Sequence, residues 1–570
     1  MNRPRRQIAN CLAAWGCAAV WSCSLLLVAQ EPAKTPAKQP LNFRNIEVCI
    51  TCHRDPNILT SALDFVDVTP AELWSDHDKH GQSFELLKGK SRERTNRILG
   101  FDLRLAFAGN DMTSLSEDAN LADNVATVKS CLRCHATWPK DAVHPTGKLT
   151  QPVEPLIHGV SCQACHGPAE AWYDPHANKW WRLVSHEDKS KVGFTNVRDP
   201  VVRAQLCASC HVGNLAEEKF VKHEWYAAGH PPLPGFEYAA FAAQMPAHWK
   251  PLRAKGDFAG RTADSKPVTD DQGEWLVFRR RYAEFGIGEA ELRKSYREAN
   301  FPDAKDDAAF VNLPRTQEVT VSAAVVLKTF VSLAGAHAEE ARRGGKRYSW
   351  PEFALYDCAA CHHELRREEG LKSRPKSSGP PGRPPLPRWT SALLGLATER
   401  DANIDADLRA LELAFTLRPF GDPTRIAAAS KNLSDRLDKL CRELGRAPFD
   451  EERTAKSLAI LLSDAGTADT RDYASARQVA WAIQGLQQDL ASIPYGFRAG
   501  LNPEQQQAQD RIAVLFSRDN PDELLLTLPA RKENSVIGEL PKFLRAMEAY
   551  DPKWFAERLK QLKDEPPKGK

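Results

Sequence analysis

The spacing of apolar residues along this 570-residue chain changes character several times. Ile8 to Ala29 is a mostly apolar run behind Arg3, Arg5 and Arg6, and a short Pro/Ala/Lys/Gln tether follows from Glu31 to Pro40. A basic stretch ahead of such a run reads as a secretory leader cut after Ala29; retained, the run is just long enough to anchor the chain in a bilayer. Leu73, His77, His80, Phe84 and Leu87 recur at three- and four-residue steps, which predicts one helical face carrying both histidines. Between residues 131 and 211 the periodicity disappears, and Pro and Gly become frequent. An apolar run of helical length extends from Val319 to Ala338 and contains His337. Outside the leader, no segment is expected to span a membrane. Residues 366–388 are rich in Pro, Gly, Ser, Lys and Arg, as in a solvated linker or a basic strip facing an acidic partner. Beyond Trp389 the helical rhythm is strong. Leu433, Leu437, Leu440 and Leu444 share a face, with Gly445 as the expected C-cap. Val479, Ile483, Leu486 and Leu490 repeat the pattern, and Asp450 before Glu451 and Glu452 makes an N-cap. Strand signals are sparse. The pattern predicts a mainly α protein ending in a helical bundle.

Where the periodicity fails, a chemical pattern replaces it. Cys162-Gln163-Ala164-Cys165-His166 is a C-x-x-C-H sequence. Four more occur: Cys49 and Cys52 with His53, Cys131 and Cys134 with His135, Cys207 and Cys210 with His211, and Cys358 and Cys361 with His362. This is the attachment pattern of a c-type haem: two thiols three apart reach the two vinyl groups of one porphyrin, and the histidine is aimed at the iron. Chance placement of the chain's cysteines and histidines would yield about 0.01 such matches. Tetrahedral zinc and disulfides use paired cysteines too, but neither requires a histidine directly after the second one. Ten of the 14 cysteines belong to the motifs, and Cys11, Cys17 and Cys23 lie in the leader. Cys441 is left as a buried apolar residue on a helix. A formal net charge of +3 excludes nucleic-acid binding by bulk electrostatics. Covalent haem attachment takes place outside the cytoplasmic membrane, in agreement with the leader. The expectation is an exported, periplasmic protein with five covalent haem c groups.

Each iron then takes one axial ligand from its motif: His53, His135, His166, His211 and His362. Only four methionines are present in the chain, against eleven histidines outside the motifs, so the inventory favours bis-histidine ligation and low potentials. His80, His158, His230 and His337 sit in helical or Gly/Pro-fixed settings beside aromatics or a motif, and are the leading distal ligands. His144, His176 and His223 are further choices. His77 competes with His80 for one role, and His186 and His363 read as surface residues.

The stretch from His158 to Ala169, with Asp78-Lys79-His80, Ala227 to Pro232 around His230, Met245 to Trp249, Glu352-Phe353, Tyr356 to Leu365 and Phe420 to Pro423, resembles the multihaem cytochrome c-554 family. The resemblance implies a mainly helical, secreted electron-transfer protein with closely stacked, mostly bis-histidine haems, one of which lacks a sixth ligand. That family carries four haems; the fifth motif and the C-terminal helices extend beyond it.

The chain therefore divides, by expectation, into a leader (1–29), a tether (30–44), a four-haem core (45–250), a helical segment with the fifth haem (251–365), the linker (366–388) and a separable haem-free helical domain (389–570). Two functions compete. One is electron transfer between a redox protein donor and a redox protein acceptor. The other is reduction of a small nitrogen or sulphur compound at one five-coordinate haem. All five motifs end in His, and the Lys variant that marks the active haem of pentahaem nitrite reductases is absent, so the reading favours an electron carrier over an enzyme. A haem-bearing scaffold or sensor built on the C-terminal helices is a third possibility.

Overall fold

The computed structural model describes residues 43–54, 70–88, 93–102, 120–137, 159–177, 181, 186–246, 248, 313–344, 350–362, 382–398, 401–463, 470, 472–492 and 550–564. The leader, residues 30–42 of the tether, His144, His158, His363 and residues 366–381 of the expected linker lie outside these. The described chain is mainly α: its β structure is a single bridge between Asn214 and Lys219.

Four of the five C-x-x-C-H sequences close a helix: α1 (Glu47–His53), α2 (Asn120–His135), α3 (Cys162–His166) and α4 (Pro200–His211). Cysteines three apart lie on one side of a helix, and the following histidine leaves the last turn at its C-terminus. Asp199 caps α4, accepting from the N–H of Val201 and Val202, and Pro200 fills a first-turn position that needs no donor. The fifth motif sits instead on a single 3-10 turn, Cys358–Ala360. A short helix, α5 (His223–Ala228), lies between the fourth and fifth motifs in sequence.

The long apolar run forms α6 (Pro314–Arg342), buried on nearly every side from Thr316 to Ala338. A helix apolar all round needs cover all round. It is long and apolar enough to cross a membrane, a reading the sequence pattern had set aside, but here most of it is packed inside the protein. Its cover includes α4 and the C-terminal helices α8 (Pro423–Arg446) and α10 (Tyr473–Ser492); α7 (Ala402–Thr416) packs on α8, and α9 (Glu451–Leu461) packs on α10 and meets α6 through Thr454 and Thr316. On α8 the buried stripe is Ile426, Ser430, Leu433, Leu437, Cys441 and Leu444, so Cys441 is indeed an apolar core residue. Asp450 caps α9 as its sequence predicts. Gly445 is not a C-cap, because α8 continues to Arg446; a Cβ there would lie 2.7 Å from Val201 of α4, so the glycine makes room for a helix crossing.

One apolar core runs from Ala204 through α6 to Leu559. The expected division at 366–388 is therefore not a division in packing. Segments on both sides of it cover α6.

Candidate functional site

The five motif histidines share one geometric feature. The ring of His53 lies 6.3 Å from that of His176, with 21° between their planes. His135 stands 6.4 Å from His230 at 83°, and His166 stands 6.4 Å from His248 at 76°. His211 is 6.3 Å from His80 at 90°, and His362 is 6.1 Å from His223 at 29°. An iron held between two imidazoles by bonds of about 2 Å sets the ring centres roughly 6.3 Å apart. Five pairs at this separation, each with a motif histidine on one side and a second histidine on the other, fit a bis-imidazole metal.

The hydrogen bonds around these rings fix their tautomers. His135 Nδ1 donates to the carbonyl of Ser83 (2.9 Å), His230 Nδ1 to that of Pro231 (2.7 Å), and His176 Nδ1 to that of Tyr173. A carbonyl can only accept, so in each ring Nδ1 carries the proton and Nε2 keeps its lone pair. His80 Nδ1 donates to the Asp78 carboxylate at 2.9 Å, and the same oxygen accepts from the His80 backbone N–H. Burial pulls His166 and His211 down to about 4 and also lowers His53, so these imidazoles are neutral, as a metal ligand must be. For His80, burial acts in the same direction, but the hydrogen bond and charge of Asp78 outweigh it and raise the pKa.

The structure corrects the helical face predicted around His80. The segment Leu73–His77 is a single wide turn; Asp78 then becomes extended, with ψ 126°, and caps a new 3-10 turn, Lys79–Gln82. His77 is left exposed while His80 turns inward. Gly159 holds this turn against the third motif. Its φ is +66° and a Cβ would lie 2.5 Å from the His80 carbonyl; that same carbonyl accepts from the Val160 N–H at 2.9 Å.

Several attachment sites adjoin one another. Cys49 and Cys162 pack against the same apolar cluster of Ile46, Ile50, Ala71 and Trp74, which places the first and third motifs side by side. Cys134 and Cys210 adjoin as well, bringing the second and fourth motifs together, and Cys165 lies within electrostatic reach of Cys207 and Cys210. Cys52 is half-buried in the last turn of α1, one residue before His53. Cys361 is exposed just past the 3-10 turn, its N–H donating to the Cys358 carbonyl at 3.2 Å, and Cys358 is exposed with it. A single 3-10 turn carries the fifth motif where helices carry the others, so its sulphurs lie at the surface. None of the ten motif cysteines is paired in a disulfide.

Among the sequence-predicted distal ligands, His80, His176 and His230 each face a motif histidine. His337 is placed differently: it lies on the buried face of α6, 2% exposed, with its ring 5.0 Å from Phe220. Among the described residues every motif histidine already faces another ring. Three of those rings, on His176, His223 and His248, fall outside the leading set; His176 and His223 are among the further choices, and nothing in the local sequence of His248 marks it more strongly than His144.

Each C-x-x-C-H motif thus aims an imidazole at a second one, the arrangement a c-type haem requires. In the comparison with known families, residues 48–167 match the family described as cytochrome c554 and c-prime. No curated protein and no solved structure matches the chain. The matched stretch holds the first three motifs; the fourth, the fifth and the C-terminal helices extend past it.

Proposed function

We propose that the chain is an exported pentahaem cytochrome c that carries electrons between two redox proteins. Haem c, bound at these sites, supplies reversible one-electron redox chemistry. The chain's own residues set the rest. The anchoring thiols are Cys49 and Cys52, Cys131 and Cys134, Cys162 and Cys165, Cys207 and Cys210, and Cys358 and Cys361. The histidines that would hold the irons are His53 with His176, His135 with His230, His166 with His248, His211 with His80, and His362 with His223. One observation carries this reading: all five motif histidines face a second imidazole at 6.1–6.4 Å. A reductase of small molecules needs one iron with an open position, and each of the five places opposite a motif histidine already holds an imidazole. Two histidines per iron also point to low potentials, since methionine ligation would raise them.

Mass spectrometry of the exported protein should show the chain without residues 1–29 plus five haem masses. Low-temperature EPR of the oxidised protein should show low-spin iron alone. Four haems, or a stoichiometric high-spin signal, would contradict the proposal; the high-spin signal would restore the reductase reading.

A further inference from the structure

Two axial pairs draw a ligand from the same short segment. His223 is the first residue of α5, and His230 stands two residues past its end. Seven residues at a helical rise of 1.5 Å place these ligands about 10 Å apart. The C-terminus of α5 is tightly turned: Gly229 takes φ +113°, and the His230 N–H donates to the Trp225 carbonyl at 2.9 Å. The N-terminus is tied to the fifth motif. Glu352, 6% exposed, accepts from the His223 N–H at 2.8 Å and from the Ala354 N–H at 3.0 Å, four residues before Cys358. Between the two ends lies Tyr226. Its ring is 6.0 Å from that of His230.

We infer that α5 joins the fifth haem site to the second, so that the state of the fifth site is sensed at the second site ahead of the first or third. This rests on the pentahaem reading above. The first and third motifs are packed against each other around Trp74, whereas α5 carries a ligand for the second site and one for the fifth. The core would thus be extended from its second site, with His223, Tyr226 and Glu352 as positioning residues.

The test uses the full five-haem chain and spectropotentiometry with EPR. Three His→Met variants, His223→Met, His230→Met and His176→Met, identify the signals of the fifth, second and first sites, because methionine raises the potential of the haem it ligates. In His223→Met, the second-site potential and EPR line should also move, while the first-site signal stays at its parental position. In the unaltered protein, the second-site signal should shift as the fifth site is reduced. That readout needs no variant to fold. A second site indifferent to the fifth, or a first site that moves as much, overturns the inference while leaving the five-haem count intact. If His223→Met leaves every haem at its parental spin and potential, the ligand assignment itself fails, and the inference fails with it.

Discussion

Single residues decide whether an imidazole reaches iron. His230 is prepared for it twice: its Nδ1 proton is held by Pro231, and its backbone by Trp225. Its removal should be local. His230→Ala is expected to add one high-spin EPR signal and create one reduced iron that binds carbon monoxide. An unchanged low-spin spectrum would show that His230 is not a ligand. Asp78 acts one step further out, through the Nδ1 of His80. Outer partners of this kind change metal affinity by about 10–100-fold. Asp78→Ala should therefore weaken low-spin character at the fourth site alone, while Asp78→Asn, which keeps an acceptor, should restore most of it; equal loss in both variants would argue for a general structural fault.

At the scale of elements, α6 depends on groups from elsewhere in the chain. Its first turn is met by Asp489 of α10, which accepts from the N–H (2.7 Å) and the hydroxyl (2.8 Å) of Thr316. Burial raises Asp489 to about 7, with the Thr316 hydrogen bonds opposing. The folded chain thus keeps a proton that the unfolded chain loses near pH 4. Stability contributed by that proton is complete below about pH 4, drains away as pH rises to about 7, and is constant beyond. Asp489→Asn keeps the hydrogen bonds without the charge, so its melting temperature should gain on the parent's progressively from pH 4 to pH 7. Parallel pH curves for the two proteins would contradict the assignment. The crossing of α8 over α4 offers a simpler test. Alanine is normally better than glycine inside a helix, by about 1 kcal/mol. At Gly445 the added methyl would meet Val201, and overpacking of this kind costs about 1–3 kcal/mol. Gly445→Ala should therefore lower the melting temperature; a rise would show that Val201 yields freely.

The molecule as a whole is held together by the cover of α6. Val319, Ala324, Val325, Val331 and Ala334 are fully buried, and α8 and α10 supply much of that burial. The fifth motif is tied to the same body, with the Tyr356 hydroxyl donating to the Phe420 carbonyl at 2.7 Å. A chain ending at Gly382 would leave the apolar surface of α6 open to water, at roughly 25 cal/mol per Å² of exposed apolar area. That truncated chain should be recovered poorly or aggregated, with the fifth haem depleted first. Soluble yield and the ratio of haem to polypeptide measure this, and a monodisperse truncated protein with five haems would restore the boundary expected from composition.

The sequence alone determined the chemistry of attachment, because C-x-x-C-H is a local rule: the thiol spacing and the following histidine act within two helical turns. It also determined the mainly α character and the buried stripes of α8 and α10, where periodicity is local too. How deeply each thiol sits was not local. Cys52 and Cys361 carry the same motif position as Cys165 and Cys210, yet only packing decides how far each is buried. The distal partners were beyond reach for the same reason. His176 lies more than a hundred residues from His53, and His248 more than eighty from His166, so only folding decides which imidazole arrives opposite which motif. That limit also misplaced His337. Its neighbours read as a helix ending beside a motif, but the face on which it falls is set by α8 and α10 closing over α6. The boundary at 366–388 went the same way: composition shows where a chain is polar, while shared burial across that stretch is a property of the packed core.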